Sequence, residues 1–151
     1  MAANTFSFDD ALDNTIDSLP EIAPRAHLPS GRYIVEILDI QRKPIKDKSG
    51  NENDSIIFKY KVAEVLEIAD PSQTAPEIGT KVEEVFNVSD ADRVGYFRKH
   101  VTKVAGGMKL GELLTNLPGQ NVMLTSKARQ YTDKAGELQW GWNTADGLSA
   151  L

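Results

Sequence analysis

The stretch SIIFKYKVAEVLEI, running from Ser55 to Ile68, decides the fold. Ile56, Phe58, Tyr60, Val62, Leu66 and Ile68 share one parity, while Lys59, Lys61 and Glu67 fall on the other. A period of two, carried by β-branched and aromatic residues, is the pattern of a strand buried on one face. Its length matters as much as its pattern, because a strand that bends to join both halves of a small barrel needs extra residues.

Upstream, Leu28-Pro29-Ser30-Gly31 is a turn signal, and Arg32 to Ile40 alternates as a first strand. The polar stretch from Gln41 to Asn53, with Pro44 and Lys48-Ser49-Gly50-Asn51, reads as a loop or a flexible hairpin connection. Downstream, Asp70 to Gly79 is a second loop, and Lys81 to Val88 a third strand. The period then changes. Ser89 stands three residues before Asp92, as in a capping box, and Val94, Phe97, Val101 and Val104 form a helical stripe that Gly106-Gly107 closes. Leu110 to Leu117 adds a short helical turn. Gln120 to Arg129, continuing to Tyr131, and Leu138 to Asn143 read as a hairpin with Trp140 and Trp142 on one face.

Five strands with one helix between strands three and four are the element order of a mainly β, five-stranded OB-type Greek-key barrel. An antiparallel sandwich can show the same five runs but less often inserts a single helix there. The expected organisation is an acidic N-terminal arm over residues 1–29, a barrel over residues 30–143 and a short tail over residues 144–151.

The net charge of -5 resides in the arm. Asp9, Asp10, Asp13, Asp17 and Glu21 precede Pro24 with no Lys or Arg among them, so the rest of the chain balances at 17 cations against 17 acids. Phe8, Leu12, Ile16 and Leu19 allow one short amphipathic helix from Asp9 to Ser18, which Pro20 and Pro24 stop. Two readings of the arm stand: a partly disordered terminus resting on its own domain, or an acidic peptide that engages a partner or a basic groove.

Catalytic constellations are absent from the sequence. The chain has no cysteine, which excludes thiol catalysis and disulfide frameworks. His27 and His100 are its only histidines, one in a Pro-flanked connection and one on a basic helix face, and no third metal ligand accompanies either. Gly106-Gly107 lacks the context of a phosphate loop, and Glu83-Glu84 and Asp90/Asp92 fit strand alternation and helix-terminal charge. No enzyme activity, metal or cofactor is expected. With no apolar run near roughly 18 residues and no basic or apolar leader in MAANTFSFDD, a cytosolic protein that does not engage membranes is expected.

Binding is better supported by the residues present. Three basic clusters fall on elements whose loops and strands form the groove of an OB barrel: Arg42, Lys43, Lys46 and Lys48; Lys59 and Lys61; and Lys127, Arg129 and Lys134. A single-strand site needs cations along a groove and flat rings on which unstacked bases rest. Tyr60, Phe86, Tyr131, Trp140 and Trp142 are the candidate rings, of which Tyr60 and Phe86 also suit a core. The helix carries Arg93, Arg98, Lys99, His100 and Lys103, read as a solvated cationic face or a receiver for the acidic arm.

The body resembles a group of small bacteriophage proteins with an OB-type core that bind single-stranded DNA. The resemblance rests on the opening Leu28-Pro29-Ser30-Gly31-Arg32-Tyr33, a middle strand ending in Asn87, the Arg- and Lys-rich helix and Leu117-Pro118-Gly119-Gln120-Asn121-Val122 before the final hairpin. It departs in one respect: such proteins usually carry their acidic segment at the C-terminus. The resemblance implies non-enzymatic, sequence-tolerant binding of single-stranded DNA in phage replication or recombination, in the host cytoplasm. Replication or recombination proteins are the expected partners of the arm, and a homo-oligomer is left open. The alternatives are a phage structural or assembly protein that uses barrel and arm for protein contacts, and an accessory domain that binds an oligosaccharide or protein strand.

Overall fold

The computed structural model describes Leu12, residues 27–46 and residues 49–151. The arm's helix and its docking therefore lie outside the described residues, as does Lys48.

Five strands form one antiparallel sheet: β1 (Gly31–Lys46), β2 (Glu52–Ile68), β3 (Lys81–Asn87), β4 (Asn121–Thr132) and β5 (Leu138–Thr144). Their spatial order is β3-β2-β1-β4-β5, so the first four strands have the Greek-key arrangement and β5 extends it. Between β3 and β4 lie α1 (Ala91–Ala105), the helix counted in the element order, and the seven-residue α2 (Leu110–Asn116), where the short helical turn was expected.

Of the two readings for Gln41 to Asn53, loop or hairpin connection, the structure has the hairpin, and most of its described residues are strand. β1 and β2 pair without a break from Ile40↔Phe58 to Lys46↔Glu52, so Arg42, Lys43 and Lys46 sit on a projecting two-stranded ribbon. Local polarity hid this, because a ribbon that leaves the core has no buried face to impose an apolar period.

Three register shifts bend the β1–β2 pair, leaving Leu38, Ala63 and Leu66 without partners opposite them. The bulges also explain why the simple alternation of β2 fails past Val62. Val65 packs against the core and Leu66 turns outward to 43% exposure, the reverse of the parity expectation. At the same end Gly31 approaches β2 so closely that a Cβ there would lie 2.1 Å from the Glu67 carbonyl oxygen.

The core gathers Tyr33, Val35 and Ile37 of β1, Phe58, Tyr60 and Val62 of β2, and Val122 and Leu124 of β4. Helix α1 contributes Phe97 and Val101, and α2 contributes Leu113. Asp90, not Ser89, caps α1: its carboxylate accepts from the Arg93 amide at 2.8 Å, while the Ser89 hydroxyl donates to Asn87. The stripe on α1 is rotated from expectation, with Val94 40% exposed and His100 buried among core residues. The patternless tail is part of the body. Leu148 is fully buried, its amide donates to the His100 carbonyl, and Ser149 bridges to Met123.

The sheet is strongly curled. Flat, its outer strands β3 and β5 would lie roughly 19 Å apart at ordinary strand spacing. Instead Glu84 of β3 accepts hydrogen bonds from the Thr144 amide and hydroxyl of β5 at 2.9 and 2.8 Å. Among the described residues, no backbone ladder joins those two edges. The contact at Gly31 makes a direct test of this geometry. Gly31→Ala should lower stability by about 1–3 kcal/mol, the cost of forcing atoms into a filled space, read from the urea midpoint; an unchanged midpoint would contradict the close approach.

Candidate functional site

Where β3 and β5 fail to pair, a cleft of about 790 Å³ opens between them. β2 and β3 supply Lys59, Tyr60 and the run from Lys81 to Phe86; the hairpin supplies Tyr131 and the run from Trp140 to Asn143; the bulged Leu38 of β1 completes the lining.

The hairpin is built to present its rings. Its turn is organised by Asp133, whose carboxylate accepts from the Ala135 and Glu137 amides at 2.9 Å each and from the Gln139 side chain at 3.2 Å. Gly136 there adopts a φ of 80°, open to glycine without strain. Tyr131 lies diagonally across from Gly141, its ring 3.4 Å from where a Cβ would stand, so the glycine gives the ring a bare strand to lie against. Tyr131 remains 46% exposed. Trp140 and Trp142 share the other parity: Trp142 packs against the core and Trp140 stacks on His27.

The floor is a buried polar chain. Tyr60 and His100 lie 2.7 Å apart through the phenol oxygen and Nε2, and the Tyr60 hydroxyl donates to Glu84 Oε1 at 3.2 Å. With Glu84 ionised, one proton arrangement fits these contacts: His100 Nε2–H donates to Tyr60, Tyr60 donates to Glu84, and Glu84 also accepts twice from Thr144. Burial pushes the His100 pKa down to about 3, so the imidazole is neutral and its approach to Glu84 is no ion pair. Burial pushes the Glu84 carboxyl up, against the pull of its hydrogen bonds from Thr144 and Tyr60.

The predicted residues fall into three groups. Lys59, Tyr60, Phe86, Tyr131 and Trp140 line the cleft. Tyr60 does so as a fully buried core residue whose hydroxyl is engaged, so its ring offers no stacking face; Phe86 is half-buried against Phe58 and His100. Lys61 stands opposite Lys81, while Lys127 and Arg129 stand opposite Asn143 and Gly141, one strand away from the cleft wall. Lys134 lies in the hairpin turn beyond them. Arg42, Lys43 and Lys46 lie far out on the ribbon. Because β1 and β4 pair only from Gly31↔Ser126 to Glu36↔Asn121, the ribbon and the hairpin cations extend from opposite ends of that pairing.

Several of these cations already hold carboxylates. Arg42 makes a forked pair with Asp54, raising its own pKa and lowering that of Asp54; Lys61 meets Glu36 at 3.5 Å and Lys59 meets Glu83 at 3.9 Å. The sequence reading missed Lys81, although its place next to Val82, on the polar parity of β3, was the available signal. It also set His100 on the solvated helix face, because the two residues that hold it, Tyr60 and Glu84, come from other elements.

No protein-family model matches the chain, and no curated protein matches it significantly.

The neutral His100 makes stability depend on pH. Between pH 6.5 and about 3 the unfolded chain binds a proton that the folded chain refuses, so His100 lowers stability as pH falls through that window. The raised Glu84 acts oppositely above its ordinary value of 4.5, since the folded state retains a proton there that the unfolded state loses. His100→Gln, which keeps a polar group but cannot titrate, should therefore make the acid limb of stability against pH shallower than in the wild type. Parallel curves from urea unfolding at several pH values would contradict the buried neutral imidazole.

Proposed function

We propose that this chain binds single-stranded DNA without sequence specificity and without catalysis, on an OB-type barrel left open between β3 and β5. The observation that carries the proposal is the cleft itself. It brings lysines (Lys59, Lys81) and flat rings (Tyr131, Trp140, Trp142) into one open trough between two strand edges. Lysines replace the counterions of a phosphate backbone, and rings accept any base, because every base has a π-face. The strand order agrees with a Greek-key barrel, and the trough lies beside the β2–β3 face and the β4–β5 loop that such barrels use for single strands. Phage replication or recombination in the host cytoplasm is the setting we assign, with replication or recombination proteins as partners of the acidic arm.

A second reading has its own support. Among the described residues, β3 and β5 are sheet edges without a strand partner on one side, and Val85 and Leu138 on them are 52% and 68% exposed. Such edges suit a phage assembly protein that receives a strand from another chain.

Tryptophan emission separates the two. Titration with oligo-dT at low and moderate salt should quench emission, and log affinity should fall against log salt by roughly 0.7 per phosphate neutralised. Tyr131→Ala should weaken binding by about 1–3 kcal/mol, the loss of one stacked base. Absence of quenching at either salt would overturn the nucleic-acid reading and leave the assembly reading standing.

A further inference from the structure

Beside the cleft lies a second cavity of about 280 Å³, lined by His27, Pro29, Gln73, Thr74 and Trp140. Trp140 is the residue common to both cavities, and so forms a wall between them. On the side of the smaller cavity, the imidazole of His27 lies parallel to the indole, with centroids 5.2 Å apart and 1° between the planes.

The imidazole is delivered there by a fixed backbone. Leu28 is fully buried and its carbonyl accepts from Ser126 at 2.8 Å. The Pro29 carbonyl accepts from the Tyr33 hydroxyl, and Ser30 Oγ accepts from the Ala128 amide at 2.9 Å. The three residues after His27 are thus tied to β1 and β4, whereas Trp140 belongs to β5 at the sheet's edge. An indole on an edge strand, with open cavities on either side, has several rotamers available unless something covers one of its faces.

We propose that His27 is a positioning residue for Trp140: it covers one face of the indole and holds the other toward the cleft as a stacking surface for a nucleobase. This rests on the reading of the cleft as a single-strand site. Two parallel rings keep the geometric preference of aromatic pairs while the indole's ordering cost is met before any ligand arrives. Burial holds the His27 pKa below its ordinary 6.5, which favours the uncharged ring at neutral pH. Among the described residues lining its cavity, no other titrates.

The stack and its role are tested separately. The chain has two tryptophans, so in a Trp142→Phe background Trp140 is the sole emitter. A protonated imidazole in contact with an indole quenches it by accepting an electron from the excited state. Emission without DNA should therefore fall on acidification with a midpoint below 6.5, and His27→Phe should abolish that step. In the otherwise wild-type chain, His27→Ala should weaken oligo-dT binding roughly threefold to tenfold, the size of an aromatic pair's preference, and His27→Phe should restore it. Wild-type affinity in His27→Ala, or failure of His27→Phe to restore a loss, would overturn the positioning role while leaving the site's function intact. An acid quench in the Trp142→Phe background together with no oligo-dT binding by the wild-type chain would instead overturn the reading of the cleft, and with it the role assigned to His27.

Discussion

The architecture depends on a carboxylate reaching across the gap in a curled sheet. Glu84 of β3 takes two hydrogen bonds from Thr144 of β5 and one from Tyr60. Those bonds pull the outer strands toward each other without letting their backbones pair. A backbone ladder would seal the sheet and remove the cleft; without the bridge, nothing in the polar chain would tie β5 to β3. A buried carboxylate is costly unless its oxygens are satisfied, and here both are, with the neutral His100 joined to the same chain through Tyr60. The bridge thus sets the width of the trough, and a helix residue, His100, is coupled to it through one shared phenol.

This arrangement shifts the balance of the binding argument from charge to surface. Lys59 and Lys61 already face Glu83 and Glu36, and Arg42 is committed to Asp54. Exposed pairs of this kind are individually weak, so a phosphate can displace the carboxylate, but each displacement subtracts from the gain. Flat rings carry no such subtraction. Tyr131 lies against Gly141 and Trp140 stacks on His27, contacts that need no ligand. On the proposed reading of the cleft, their contribution to binding is correspondingly larger than the count of nearby lysines suggests.

The strands were legible because β-branched and aromatic residues alternate wherever a face is buried, and the hairpin because its turn residues are explicit. What escaped were features decided by non-local partners. The β1–β2 ribbon could not be told from a loop, since its residues pair with each other outside the core. Val65 and Leu66 exchanged roles because bulges, which depend on the opposing strand, reset the parity. His100 reads as one more basic residue on a helix until Tyr60 and Glu84 are placed beside it. The candidate site was visible in part in the same sense. Lys59, Tyr131 and Trp140 have the right residue types on the right elements, but the gap that unites them exists only once β3 and β5 have met.

The central claim is that a single strand lies in the trough between β3 and β5 with its bases on the hairpin rings. Photo-crosslinking with an oligo-dT that carries 5-iododeoxyuridine, followed by peptide mass spectrometry, reads that placement residue by residue. The account predicts adducts on Tyr131 or Trp140. Adducts confined to α1 or to the tip of the β1–β2 ribbon would contradict it.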